Sequence, residues 1–295
     1  MTAPHRPVTP DRVTVLGTGL VGTSVALALR RHGVRVGLVD RDPDAVRLAV
    51  RMGAGEPLAG RAGPADLVVI AVPPAAVAET LRAAQQARLG LYYTDVASVK
   101  ATIIADAREL GCDLSRFVPG HPMAGGHQSG PAAARADLFE GRPWVLCPTD
   151  ATEGTATRVV ADTVALSGAL VCLVDAHQHD RAVAVSSHAP HVVASALAAL
   201  FAGPDALALR LAGRGVLDST RIAAGNTTLW TQILTRNSAA VAEALIAVAD
   251  DVRAVAEVLR ALADQSDPDL SVVRALLERG NRGREFLTNG AHQPA

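Results

Sequence analysis

Over the first half of the chain, short apolar runs alternate with amphipathic stretches. Arg12–Leu16 (RVTVL) is short, β-branched and stopped by glycine, the pattern of a buried strand. Leu20–Arg31 carries apolar residues at helical spacing and runs into Gly33, a natural C-cap. The same alternation predicts strands at Val34–Asp40, Asp66–Val72 and Leu91–Val96, with helices over Pro43–Met52 and Ala75–Ala87. Asp42 is placed as N-cap before a proline at the first helical position. Shorter strands are predicted at Phe117–Pro119, Pro143–Cys147 and Leu170–Val174, with a helix over Glu153–Ser167. Strands alternating with helices imply a parallel sheet with right-handed crossovers.

The strand signal stops near Asp175. Ala/Leu/Val runs at helical spacing fill Asp180–Phe201, Pro204–Leu211, Thr227–Arg236, Ala239–Ala263 and Pro268–Arg282, with breaks at Gly203-Pro204 and Gly213–Gly215. A domain boundary is placed there, giving 1–174 and 175–295. So apolar a set of helices has too few polar faces to cover itself, which predicts burial against a second copy of the chain.

Composition narrows the function. The 295 residues carry 28 Lys+Arg against 29 Asp+Glu, a net charge of −1, so no basic excess marks a nucleic-acid or anionic-membrane partner. Aromatic residues make up only 3 %, which leaves no stacking platform for single strands. Cys112, Cys147 and Cys172 are far apart and odd in number, and read as reduced thiols of a cytoplasmic protein. The polar, Pro-rich N-terminus lacks a signal-peptide core, and no uninterrupted apolar run is long enough for a membrane span.

Gly17-Thr-Gly19-Leu-Val-Gly22 lies between a predicted strand and a predicted helix. Gly17 permits the tight turn, Gly19 the approach of a pyrophosphate, and Gly22 close helix–strand packing; Leu20 and Val21 open the helix whose N-terminus faces the phosphates. Asp40 ends the second strand 18 residues past Gly22, where a ribose-binding carboxylate is expected. A carboxylate there repels a 2′-phosphate and favours NAD. Arg41, directly after it, could pair that phosphate and keeps NADP open. Val72 and Pro73 end the third strand, where a dinucleotide crosses the sheet or where proline simply stops the strand.

Three polar segments interrupt the apolar chain. Ser98, in Asp95–Lys100 (DVASVK), follows a strand and is placed either to reach a nicotinamide or substrate or to cap a helix. His121 sits in a glycine-dense loop, GHPMAGGHQSG, and is suited to general-base work near neutral pH. Ser187 and His191 are four residues apart on a predicted helix that Pro190 should kink. His177, His179 and His188 read as solvent-exposed or capping residues. Without HExxH or a cysteine partner, a metal site is not favoured. Arg221 falls in a break between helices, suited to a substrate carboxylate or to a salt bridge with Asp218. Trp230 reads as core.

Together, DVASVK, GHPMAGGHQSG, LFEGRPWVL, HDRAVAVSSHAPH and TRIA followed by Trp230 resemble the prephenate/arogenate dehydrogenases of tyrosine biosynthesis, over nearly the whole chain. The resemblance implies an α/β protein, a Rossmann-type doubly wound sheet followed by an all-helical dimerisation domain. It implies NAD-dependent oxidative decarboxylation, with His121 taking the ring hydroxyl's proton and Ser98 linking substrate to nicotinamide. Arg221 would pair a substrate carboxylate, and Ser187, His191 and Trp230 would line the pocket. Position 127 departs from the pattern, since His127 stands where many relatives carry an acid; a substrate contact there is still expected. GRGVLD, Gly213–Asp218, likewise replaces a commoner motif with an aromatic and a cation.

Alternatives stay open. One is a homologue acting on 4-amino-4-deoxyprephenate in a secondary pathway; another is a dinucleotide-binding regulator without catalysis. A β-hydroxyacid dehydrogenase would place a lysine base on the first C-terminal helix, and Asp180–Phe201 contains none.

Overall fold

The computed structural model describes residues 9–58, 63–125, 128–203, 206–264 and 269–290. It opens with alternating elements: β1 (Arg12–Leu16), α1 (Leu20–Arg30), β2 (Arg35–Val39), α2 (Pro43–Arg51), β3 (Glu56–Pro57), β4 (Ala65–Ile70), α3 (Val77–Gln86), β5 (Gly90–Asp95), α4 (Ala101–Glu109) and β6 (Phe117–Val118). Their six strands form one sheet in the order β3-β2-β1-β4-β5-β6, every pairing parallel. This is the expected doubly wound arrangement, whose order reverses between β1 and β4.

Strand alternation sends successive side chains to opposite faces. Val13, Val15, Val36, Leu67 and Val69 pack with Val25 and Leu29 of α1 and with Val160 and Val164. Val68, Ile70 and Tyr93 pack with Leu81 of α3 and Ile103 of α4. Asp42 caps α2 as expected, its side chain accepting from the Asp44 N–H.

A second sheet was not anticipated as such. β7 (Gly120–Pro122) pairs antiparallel with β8 (Pro143–Leu146), and β8 pairs parallel with β9 (Leu170–Leu173), with α5 (Gly154–Leu166) between the last two. The segment read as a glycine-rich loop is therefore a strand at His121, whose register partner is Val145.

The remaining helices are α6 (Ala176–Val183), a π-turn (Ala184–His188), α7 (Ala189–Ala199), α8 (Ala206–Leu211), α9 (Arg214–Thr220), α10 (Thr227–Arg236), α11 (Ser238–Ala263) and α12 (Ser271–Gly290). A 3-10 turn, Arg221–Ala224, joins α9 to the segment before α10. Contacts divide the chain into two compact units, Met1–Ser238 and Ala239–Ala295. Within the first, α10 is tied to the sheet layer: Arg236 bonds Asp106 of α4 at 2.6 Å, and the Ala75 N–H donates to Gln232 at 3.5 Å. Ala176–Ala199 is long and apolar enough to cross a membrane. A third of that span is buried, and its buried His179, Asp180 and His188 all have partners inside the first unit.

The π-turn is where Pro190 was expected to kink the helix. Pro190 has no N–H to give, and the Ala189 N–H reaches back to Ala184 O instead. A π-turn absorbs one extra residue. At about 100° per residue, His179 and His191 would sit about 120° apart on a plain α-helix; with one residue absorbed they fall within about 20°. The irregularity thus brings two histidines onto one face.

Candidate active site

At the reversal of strand order, Gly17 has φ +105° and an added Cβ would run into the Ala71 carbonyl, so only glycine makes this turn. α1 starts at Leu20 with Gly19 as N-cap and no side-chain cap bond, which leaves its first N–H groups for an outside acceptor. A Cβ added at Gly19 would meet nothing within 4 Å, so the approach is open. Asp40 accepts from the Thr18 N–H at 2.5 Å, the Thr18 hydroxyl at 3.0 Å and the Asp42 N–H at 2.9 Å. Burial raises its pKa, but these donors outweigh burial and hold the carboxyl below its usual value. Arg41 and Pro73 are exposed, and Val72 is half-buried.

The second feature is a clamp on the strand that carries His121. Asp95 ends β5 and forms an ion pair with Lys100, both side chains fully buried. The Gly120 N–H donates to Asp95 at 3.1 Å, and Lys100 Nζ donates to the Gly120 carbonyl at 2.6 Å. The pair thus holds both backbone groups of the residue before His121. Gly120 allows this, because a Cβ there would lie 2.7 Å from Asp95 O and 3.1 Å from Trp144 Nε1.

His121 Nδ1 lies 2.8 Å from His179 Nε2, with the rings edge-to-face at 81°. His179 Nδ1 lies 2.8 Å from Asp180 Oδ1. Asp180 also accepts from the Lys100 and Ala101 N–H groups at 2.9 Å each, capping α4 from another helix. Burial raises the Asp180 pKa, but His179 and the two N–H donors outweigh it and keep the carboxyl ionised below its usual range. Burial, with His179, Lys100 and His188 nearby, drives the His121 pKa well below that of a free histidine. The ring is therefore neutral and able to accept a proton.

The third feature is the wall. His191 stacks on Trp230 with centroids 3.5 Å apart and planes 9° apart, and His188 meets the same indole edge-on at 6.1 Å. Asn237 Nδ2 donates to Asp180 O at 2.7 Å and to His188 Nδ1 at 3.1 Å. His188 Nε2 and His191 Nδ1 are buried without a partner among the described residues. Ser187 is half-buried in the π-turn. Arg221 is exposed at the start of the 3-10 turn and forms no ion pair among the described residues, so the Asp218 bridge does not form.

Three expectations are corrected. His179 and His188 are buried, at 2 % and 1 % exposure, not solvent-facing. Their partners lie on His121 and Asn237, far along the sequence. Ser98 does not cap α4; Asp180 does, which leaves the half-buried Ser98 hydroxyl without a bond among the described residues. The break at Gly213–Gly215 contains the start of α9. His127 lies outside the described residues.

Burying His188 has a measurable consequence. Burial pushes its pKa down to about 4, with His179 and His191 adding to the effect and Asp180 opposing it. An unfolded histidine protonates near 6.5, so stability is full above that pH and is lost as pH falls from 6.5 towards about 4. At about 1.4 kcal/mol per unit, the loss is roughly 3 kcal/mol. Denaturant unfolding across this range should show the fall, and His188→Asn should flatten it.

Among known families, the model described as prephenate dehydrogenase, nucleotide-binding domain, matches residues 25–173, and that described as prephenate dehydrogenase, dimerization domain, matches 175–276. The chain belongs to the prephenate dehydrogenase family. Within that family it is 40 % identical to the protein named probable prephenate dehydrogenase NovF of Streptomyces niveus, over 81 % of this chain and 66 % of NovF. It spans 65 % and 64 % of the prephenate dehydrogenases of Lactococcus lactis and Bacillus subtilis. In structure it resembles prephenate dehydrogenase from A. aeolicus in complex with hydroxyphenyl propionate and NAD+. That match has a TM-score of 0.81 and 26 % identity, and covers 95 % of this chain and 100 % of the other. Synechocystis arogenate dehydrogenase follows at TM-score 0.72 and 29 % identity, covering 94 % and 99 %.

Proposed function

We propose that this chain is an NAD-dependent dehydrogenase that oxidises and decarboxylates prephenate, arogenate or both, in tyrosine biosynthesis. The observation that carries the reading is His121: neutral, held on a clamped strand, with its Nδ1 engaged and its other ring nitrogen left to accept a proton.

The cradle fits a dinucleotide. Gly17, Gly19, Leu20, Val21 and Gly22 would hold the pyrophosphate at the α1 N-terminus. Asp40 would hold the ribose, with Arg41 beside it, and Val72, Pro73 and Ser98 would lie along the nicotinamide half. When bound, NAD supplies the acceptor for the hydride that leaves the substrate ring. His121 Nε2 accepts the proton of the ring hydroxyl as the C–H bond breaks. The ring carboxylate departs as carbon dioxide, and its bonding electrons complete an aromatic ring. Aromatisation supplies the driving force, so the protein's task is to position, polarise and exclude water. Arg221 pairs a substrate carboxylate. Ser187, His191 and Trp230 shape the pocket, and His127 is assigned to substrate binding.

In this reading, 1–174 binds the dinucleotide and 175–295 contributes substrate contacts and a homodimer contact. The description of the family model over 175–276 supports the dimer. The enzyme works in the cytoplasm on a small-molecule substrate, with no nucleic acid or membrane partner.

The test is formation of reduced nicotinamide with prephenate and arogenate, each offered with NAD and NADP. Turnover of one ring substrate is expected, with NAD preferred. No turnover from folded protein that binds NAD would overturn the reading and point to an amino-substituted ring or a dinucleotide sensor. Gly17→Ala should weaken NAD binding about 5–150-fold, because the left-handed turn cannot form without a strain of about 1–3 kcal/mol. A calorimetric titration checks it.

A further inference from the structure

We propose that His179 and Asp180 form a proton store behind His121, fixing which of its nitrogens is bare and taking over the charge when it accepts a proton. This rests on His121 being the base.

The donors follow from the acceptors. An ionised carboxylate only accepts, and Asp180 is tied at both oxygens by the Lys100 and Ala101 N–H groups. His179 Nδ1, 2.8 Å from Asp180, therefore carries a proton. In a neutral ring its Nε2 is then the acceptor, so His121 Nδ1 must donate across the 2.8 Å gap. His121 Nε2 is left with a lone pair. A capping carboxylate alone would need no histidine between it and the base, yet His179 is 2 % exposed and engaged through both nitrogens.

The same line can move charge. When His121 Nε2 gains a proton, its Nδ1 proton passes to His179 Nε2. His121 becomes neutral again as the other tautomer, and His179 becomes an imidazolium against the Asp180 carboxylate. One proton enters at one end of the line, and one positive charge settles at the other. The transfer is favoured by what surrounds each ring. His121 faces the Lys100 ammonium and His188, with Asp95 already committed to Lys100, whereas His179 faces a carboxylate. Moving the charge one ring back takes it away from one cation and places it beside an anion.

His179→Asn tests this, because the amide oxygen still accepts from His121 Nδ1 while the Asp180 caps stay untouched. Expected is a fall in kcat of about 10–100-fold, with KM for the ring substrate and NAD within about threefold of the parent. In mixtures of light and heavy water, the rate of the parent should vary with deuterium fraction along a curve, as two protons move together. His179→Asn should give a straight line. Nitrogen-15 NMR of the full chain reads the resting protonation without turnover, and nine histidines are few enough to assign. It should show a protonated Nδ1 on both rings and a bare Nε2 on His121. A proton on His121 Nε2 at rest, or an unchanged kcat with a still-curved plot in His179→Asn, overturns the relay. His121→Asn separates the two readings: full turnover by that variant removes the base itself, whereas an inactive His121→Asn beside a fully active His179→Asn removes only the store.

Discussion

His121→Asn abolishes most turnover. Kcat is expected to fall by about 10²–10⁴-fold, the usual worth of a positioned general base. Dinucleotide binding should change little, because the glycine turn, Asp40 and the α1 N-terminus are built from other elements. The asparagine can still sit on the clamped strand, so the loss reads chemistry and not folding. The parent's pH profile carries the same signature. Burial and the nearby His179, Lys100 and His188 favour the neutral ring, so the acid limb of kcat/KM should lie below the pH at which an ordinary histidine titrates. Full activity in His121→Asn, or an acid limb at or above that of a free imidazole, would sink the assignment.

Lys100→Met has the largest expected effect on stability. The lysine is fully buried and neutralises a fully buried Asp95, and removing it strands a carboxylate away from water. Breaking such a pair from one side costs about 3–5 kcal/mol. Denaturant unfolding reads that loss directly. The Gly120 carbonyl also loses its donor, so kcat should drop even where the variant is folded. The double variant Asp95→Asn with Lys100→Met leaves no buried charge and should regain part of the stability but not the activity. A single-variant loss under about 1 kcal/mol would mean that other contacts hold the strand.

The sheet was legible because each strand is a compact apolar run with a glycine or proline at its end, and the pairing rules leave few topologies. The dinucleotide turn was legible because its glycines, its helix and Asp40 lie within one local unit. His121 was found by its loop-like setting, although the setting is a strand: Gly120 and Pro122 hide the β7 pairing with β8, which only the folded chain supplies. His179 and His188 escaped because nothing next to them says that they are buried. Their partners are 58 and 49 residues away, on β7 and at Asn237. The same distance hid the cap of α4, supplied by Asp180 from 80 residues on. One signal was available: an acidic residue directly after a histidine, at the start of an otherwise apolar helix, is costly unless both are used. α9 was missed because Gly213 and Gly215 read as a break, and Asp218-Ser-Thr is weak helix former.

The π-turn makes chain length itself a functional quantity in Ala176–Ala199. Most point substitutions on its outer side, such as at the exposed Val185, should be tolerated, because those positions touch little. Drawn into a regular α-helix at unchanged length, the stretch would still carry every histidine, serine and aspartate of the site. His179 and His191 would then be rotated about 120° apart, whereas deleting Val185 would take up the extra residue and leave them within about 20° on a plain helix. In this stretch the spacing is inherited together with the residues, and an alignment that closes a one-residue gap here would misplace half of the pocket.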